Sequence, residues 1–159
     1  MRVSALALVA VLLSGAAHAA TDVTFKNTDK YVDATFEGPK SERNRQKVQD
    51  AVSKMFAQLA DKYLAPGQSL TVEVSNIDLA GRLEPMADDI RIMRPVTWPR
   101  LQFTYTIHEN GAVVRSGEVN LSDMNYLNGF NRYTDSDRLR YERQMLADWF
   151  RKTIAPGST

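Results

Sequence analysis

Residues 101–121, LQFTYTIHENGAVVRSGEVNL, decide how the chain is organised. Leu101, Phe103, Tyr105 and Ile107 alternate with Gln102, Thr104, Thr106 and His108. A period of two marks a strand with one buried face. Asn110-Gly111 follows, the preferred pair where both central residues of a hairpin turn need positive φ. The return strand spans Ala112 to Leu121, and a two-residue turn sets Val114 opposite Ile107. Unbroken, that register carries Glu118 to the core face, where burial penalises it. A bulge at Ser116-Gly117 is therefore expected, turning Val119 and Leu121 inward, with glycine suited to the site.

Upstream, Leu70, Val72 and Val74 alternate with Thr71, Glu73 and Ser75, a second half-buried strand. The alternation then shifts to Ile77 and Leu79, which predicts a bulge or strand end near Asn76. Before it, Val48, Val52, Met55, Phe56, Leu59 and Tyr63 recur at steps of three and four, the stripe of a helix from Glu42 to about Leu64. Ser41 is its expected N-cap, and Pro66-Gly67 ends the unit. Val23–Phe25 and Tyr31–Phe36 read as short strands, parted by the turn-prone Asn27-Thr28-Asp29. Residues 81–88 read as a loop and 89–93 as a short extended piece. After the hairpin, residues 122–135 form a long loop rich in Asn and aromatics. A last helix is expected from Arg138 to about Thr153, capped by Asp135, Ser136 or Asp137. The pattern predicts an α+β fold: a single, mainly antiparallel sheet with two helices packed on one face.

The start of the chain reads differently. Met1-Arg2 is followed by the apolar run Val3–Leu13 and the small residues SGAAHAA. Ala17-His18-Ala19 suits a signal peptidase, so residues 1–19 read as a cleaved signal peptide and 20–159 as one exported domain. The run is short for a permanent span, which needs about 20 apolar residues, so no stable membrane insertion is expected. Without cysteine or paired arginine around that run, neither lipoprotein processing nor folded-state export is indicated. Losing Arg2 brings the 20 Lys and Arg down to 19, against 19 Asp and Glu. Such neutrality argues against nucleic acid as a partner. A chain this long buries roughly 70% of its unfolded surface, so its core does not require disulfide staples.

Residue supply limits the chemistry. With no cysteine, and His108 as the one histidine after cleavage, Cys-His catalysis and zinc sites of cysteine or several histidines are excluded. His108 stands beside the turn on the polar face, where a solvated histidine is the expectation. Asp78, Asp88 and Asp89 could form a metal or acid/base site, although adjacent carboxylates at a loop end read first as solvated groups. No cofactor is indicated. Trp98, Arg100, Tyr126, Asn131, Arg132, Arg140 and Tyr141 are the candidate binding residues, with Phe130 and Tyr133 beside them. Aromatics and arginines favour interfaces. The simpler reading is that Trp98 and Tyr126 plug the open end of the sheet.

Several stretches carry a resemblance. These are Asp78-Leu79-Ala80-Gly81, Asp89-Ile90-Arg91, Trp98-Pro99-Arg100, Ser116-Gly117-Glu118, Asp123–Leu127, Leu139–Glu142 and Met145–Phe150. Across nearly the whole mature chain the sequence resembles an uncharacterised bacterial family of small exported proteins, Domain of Unknown Function 3016. The resemblance implies a bacterial, periplasmic protein and carries over no activity and no catalytic residues. The polar members of those stretches (Asp78, Asp89, Arg91, Arg100, Glu118, Asp123, Arg140, Glu142 and Asp148) suggest a half-buried charge network tying loops to the last helix.

The leading functional expectation is a non-enzymatic module that binds an envelope protein or cell-wall component. The alternatives are a carboxylate-based or metal-dependent hydrolase and a small-ligand carrier, and the oligomeric state is left open. Export makes a direct prediction: mass spectrometry of native material should find Ala20 at the amino terminus. An intact Met1 held in lipid would overturn the compartment.

Overall fold

A computed structural model describes residues 19–38, 41–84 and 90–155. The expected signal segment falls almost wholly outside them, as do Asp88 and Asp89. Strands β1 (Thr21–Phe25), β2 (Gln68–Asp78), β5 (Arg100–Glu109) and β6 (Ala112–Ser122) form a sheet in the order β1-β2-β5-β6. β1 runs parallel to β2, and the other neighbours are antiparallel. The parallel pair is joined across helix α1 (Glu42–Tyr63), because a parallel return needs a long crossover. Helix α2 (Arg140–Trp149) runs on into a wider, π-type turn at Phe150–Ile154.

The local expectations for α1 hold. The Ser41 hydroxyl accepts from the Asn44 N–H at 3.3 Å, satisfying one of the orphan donors at the helix start. The stripe Val48, Val52, Met55, Phe56 and Leu59 is buried. For α2 the N-cap is Leu139 with no side-chain cap bond, so none of Asp135, Ser136 and Asp137 caps the helix as expected; Asp137 lies in the turn before it, where its Oδ1 accepts from the Leu139 N–H and its Oδ2 from Arg143 Nε. Helix geometry begins at Arg140, two residues later than expected.

Three expectations need correction. First, there are two sheets: β3 (Arg82–Glu84) pairs antiparallel with β4 (Ile90–Ile92), where a loop and a lone extended piece were expected. Segments this short carry too few residues to show a period. Second, Tyr31–Phe36 is not a strand. β1 leaves β2 at Phe25, turns through Thr28–Lys30 with Asn27 at φ 52°, and returns to make a single parallel bridge, Asp33 with Asp78. Tyr31, Asp33, Ala34 and Thr35 are all buried and Val32 alone is exposed, so burial here does not alternate as it would along a strand.

Third, the bulge in β6 lies near the turn. Arg115 stands opposite Ile107 and Val113 opposite His108, so Val114 is the extra residue. Gly117 pairs in register with Tyr105, and a Cβ there would lie 3.1 Å from the tyrosine ring. Its glycine therefore serves close packing. The expected consequence still follows: Val119 and Leu121 face the core opposite Phe103 and Leu101. The Asn110-Gly111 turn has φ of 51° and 81°, and the slip in β2 falls between Val74 and Asn76, both as read from sequence.

Aromatic contacts join the layers. The Phe103 ring of β5 meets Phe56 of α1 edge-on at 5.1 Å and Trp149 of α2 at 5.1 Å. Phe56 also meets Phe150 at 6.3 Å. Removing Phe103 leaves a void that neither neighbour fills without leaving its other contacts. Phe103→Ala should therefore cost about 3–5 kcal/mol in chemical denaturation. A loss below about 1 kcal/mol would show that this ring does not couple the two helices.

Candidate functional site

β2 ends on a carboxylate that reaches no water. Asp78 is fully buried, and its cross-strand neighbour is Arg100, the first residue of β5. The Arg100 guanidinium donates to Oδ2 of Asp78 at 2.9 Å, and Arg82 of β3 lies 3.1 Å from Oδ1. The bridge at Asp33 brings a second buried carboxylate alongside. Arg91 of β4 grips it with both terminal nitrogens, at 2.8 and 3.2 Å. The same guanidinium donates to the carbonyls of Thr35 at 2.5 Å and of Ala80 and Gly81 at 3.2 Å each. Forked, charge-assisted bonds of this kind are what make a buried carboxylate tolerable.

α2 closes the knot from the other side. Glu142 is buried, and it accepts from the Ala80 N–H at 2.7 Å. The Ala80 backbone is thus held on both sides, its N–H by a carboxylate of α2 and its carbonyl by a guanidinium of β4. Burial pushes the Glu142 carboxyl up to about 7, with the Ala80 N–H and the Arg91 charge acting in the opposite sense. Next to it, Gly81 has φ 75°, and a Cβ there would sit 2.6 Å from the Ile92 carbonyl oxygen. Only glycine fits that approach.

The candidate aromatics gather around this knot. Tyr126 and Tyr141 are buried, meet edge-on at 4.7 Å and pack with Ala80, Met93 and Trp98. The Tyr126 hydroxyl donates to the Arg94 carbonyl at 2.8 Å, so this side chain is tied down within the small cluster. Arg100 lies over the Trp98 ring at 4.5 Å, which shields its ion pair with Asp78. Arg140 pairs with Asp135 and donates to the Tyr141 hydroxyl at 2.5 Å. Asn131 donates to the Arg140 carbonyl, and the Arg132 N–H donates to Gln144 of α2. Arg132 itself is exposed.

Of the anticipated charge network, Asp78, Arg91, Arg100 and Glu142 do converge, while Glu118, Asp123, Arg140 and Asp148 lie elsewhere. Asp33 and Arg82 were missed. Asp33 stands within YVDATF, and a lone acid in an apolar stretch is the signal that could have found it. Among the described residues no cluster of three or more His, Asp or Glu could hold a metal. Asp88 and Asp89 lie outside those residues, and Asp78 is engaged by two arginines. His108 lies at the far end of β5 from Arg100.

Beyond the knot, the loop after β6 presents apolar side chains to water. Phe130 is 83% exposed and Met124 69%, and Leu127 is also exposed. The Asn125 carbonyl accepts from both Asn128 and Gly129, winding the segment into a turn. A groove of about 370 Å³ opens where β6 meets α2, lined by residues that include Asp123, Met145 and Trp149.

A family model described as protein of unknown function, DUF3016, matches residues 19–152. The chain belongs to this family. No curated protein and no solved structure matches it. The match runs from the first described residue into the turn after α2, so β1, the knot, the loop and the groove all lie within the DUF3016 region, apart from Thr153 at the groove's rim.

In this DUF3016 protein Glu142 makes stability depend on pH. A carboxyl raised from its ordinary 4.5 to about 7 binds its proton more tightly in the folded chain than in the unfolded one. Its contribution is therefore complete below about 4.5 and drains away as pH rises through about 7, up to roughly 3 kcal/mol. Glu142→Gln keeps an acceptor for Ala80 and removes the titration. The variant should lose less stability than the parent between pH 4.5 and 7.5 (about the window spanned by the two values), and be no less stable at about pH 8. Superimposable melting-temperature profiles would refute this.

Proposed function

We propose that the chain is an exported, non-enzymatic binding module of the bacterial periplasm that docks an envelope protein through the loop 123–134. The observation that carries this reading is a contrast within one loop. Tyr126 is buried and tied to the Arg94 carbonyl, while Phe130 and Met124 stand out in water. Asn131 and the Arg132 backbone are tied to α2, so the apolar side chains project from a segment anchored at its middle and its end. Holding a contact surface in place before binding reduces the ordering cost of association. The leading apolar segment and its Ala-x-Ala site support the compartment. A hydrolase acting through Asp78 fits less well, because two arginines occupy the carboxylate.

The module reading includes a fold in which residues 20–159 make one domain and both helices cover one face of the four-stranded sheet. Its support is the Phe103 ring, which touches α1 and α2 at once, while the neighbouring residue Thr104 is exposed. One core cluster also joins buried residues from Tyr31 to Ile154, drawn from α1, the sheet and α2. A small-ligand carrier is the second reading, favoured by one observation. The groove of about 370 Å³ exceeds the roughly 300 Å³ at which useful ligand pockets begin.

In-cell photo-crosslinking separates these. A crosslinker at Phe130 or Asn128 should capture an envelope protein, and one at Thr71 on the sheet should not. Phe130→Ser should abolish the adduct and change stability by no more than about 0.5 kcal/mol. Absence of an adduct from every position between Asn125 and Arg132 would remove the module.

A further inference from the structure

β6 is the edge of its sheet, and the described residues leave its outer row of main-chain N–H and C=O groups without a neighbouring strand. Natural edges are usually kept short, bulged or covered, because an open edge templates a further strand. β6 is 11 residues long, and its bulge at Val114 lies beside the turn. The half from Arg115 to Ser122 is left regular. The last two residues of that half, Leu121 and Ser122, line the groove. The groove's apolar lining is Leu121 of β6 with Met145 and Trp149 of α2, and its polar lining includes Asp123, Asp148 and Lys152. At the far end the Arg115 guanidinium spans to α2's extension by donating to the Thr153 carbonyl.

Charge narrows the occupant. Asp148 is paired with Arg151 at 3.0 Å, and Asp123 accepts from the Asn125 N–H at 3.0 Å. Lys152 has no ion pair among the described residues. The groove therefore adjoins the regular edge at Leu121 and Ser122, offers the apolar side chains of Leu121, Met145 and Trp149, and carries one ammonium group that has no ion pair among the described residues. An extended peptide presents main-chain groups along its whole length and alternate side chains to one side, which matches those three features.

We infer that the groove between β6 and α2 takes an extended segment of a partner protein as an added fifth strand, with an apolar side chain on Trp149 and an acidic one at Lys152. This rests on the binding-module reading and names the chemistry of its partner. A random-peptide display library panned against the purified full-length protein tests it. The enriched peptides should alternate apolar and polar residues and carry Asp or Glu. N-methylation of alternate amides should weaken the best of them at least about ten-fold, since it removes the strand's donors. Lys152→Glu should exchange the preference for acidic peptides to basic ones, also by about ten-fold. Amide exchange should slow along Arg115–Ser122 when peptide binds.

Failure to enrich any peptide, indifference to N-methylation, or an unchanged preference in Lys152→Glu would overturn the inference. So would slowed exchange along β6 that grows with protein concentration alone, which would make the occupant a second copy of this chain. Adducts from Phe130 persisting beside any of these results would leave the module standing and remove the strand-addition mode.

Discussion

Asp78 and Asp33 lie side by side at the end of β2, both buried, and three arginines arrive to neutralise them. The arginines come from three strands: Arg82 from β3, Arg91 from β4 and Arg100 from β5. An uncompensated buried carboxylate costs several kcal/mol, so each strand is drawn to the same point. The small second sheet is best understood through this demand. It has six residues in its two strands, none of them fully buried, yet it delivers two guanidinium groups. Arg91 also caps carbonyls at Thr35, Ala80 and Gly81, which stitches irregular backbone that no ladder satisfies.

Glu142 extends the same logic to α2. Its carboxylate takes the Ala80 N–H, while Arg91 takes the Ala80 carbonyl, so one residue connects the final helix to the second sheet through the peptide groups on either side of it. The tyrosine pair Tyr126–Tyr141 packs over that point and fixes the middle of the long loop. A rigid polar interior thus has an outward consequence. The loop's apolar residues are displayed from a fixed base, and the groove beside α2 has walls that are already in place.

The hairpin and the groove meet in β6. Its inward side contributes Val119 and Leu121 to the core, while its outer edge has no neighbouring strand among the described residues and the valines near the turn are exposed. Main-chain groups in that position are satisfied by water or by another strand.

The hairpin, the α1 stripe, the Ser41 cap and the slip in β2 were legible because each is a short-range pattern. Alternation, three-and-four spacing and turn chemistry act between residues a few places apart. The need for a register correction in β6 was also legible from Glu118, although its position was not, because two sites could relieve it and only Tyr105 reserves Gly117 for packing. What tertiary structure alone decided is which distant residues meet. β1 lies parallel to β2, Asp33 finds Arg91 at 58 residues' remove, and Glu142 finds Ala80 across 62. Those pairings arise from competition among many carboxylates and arginines for few buried places, and no local period in the chain records the winner.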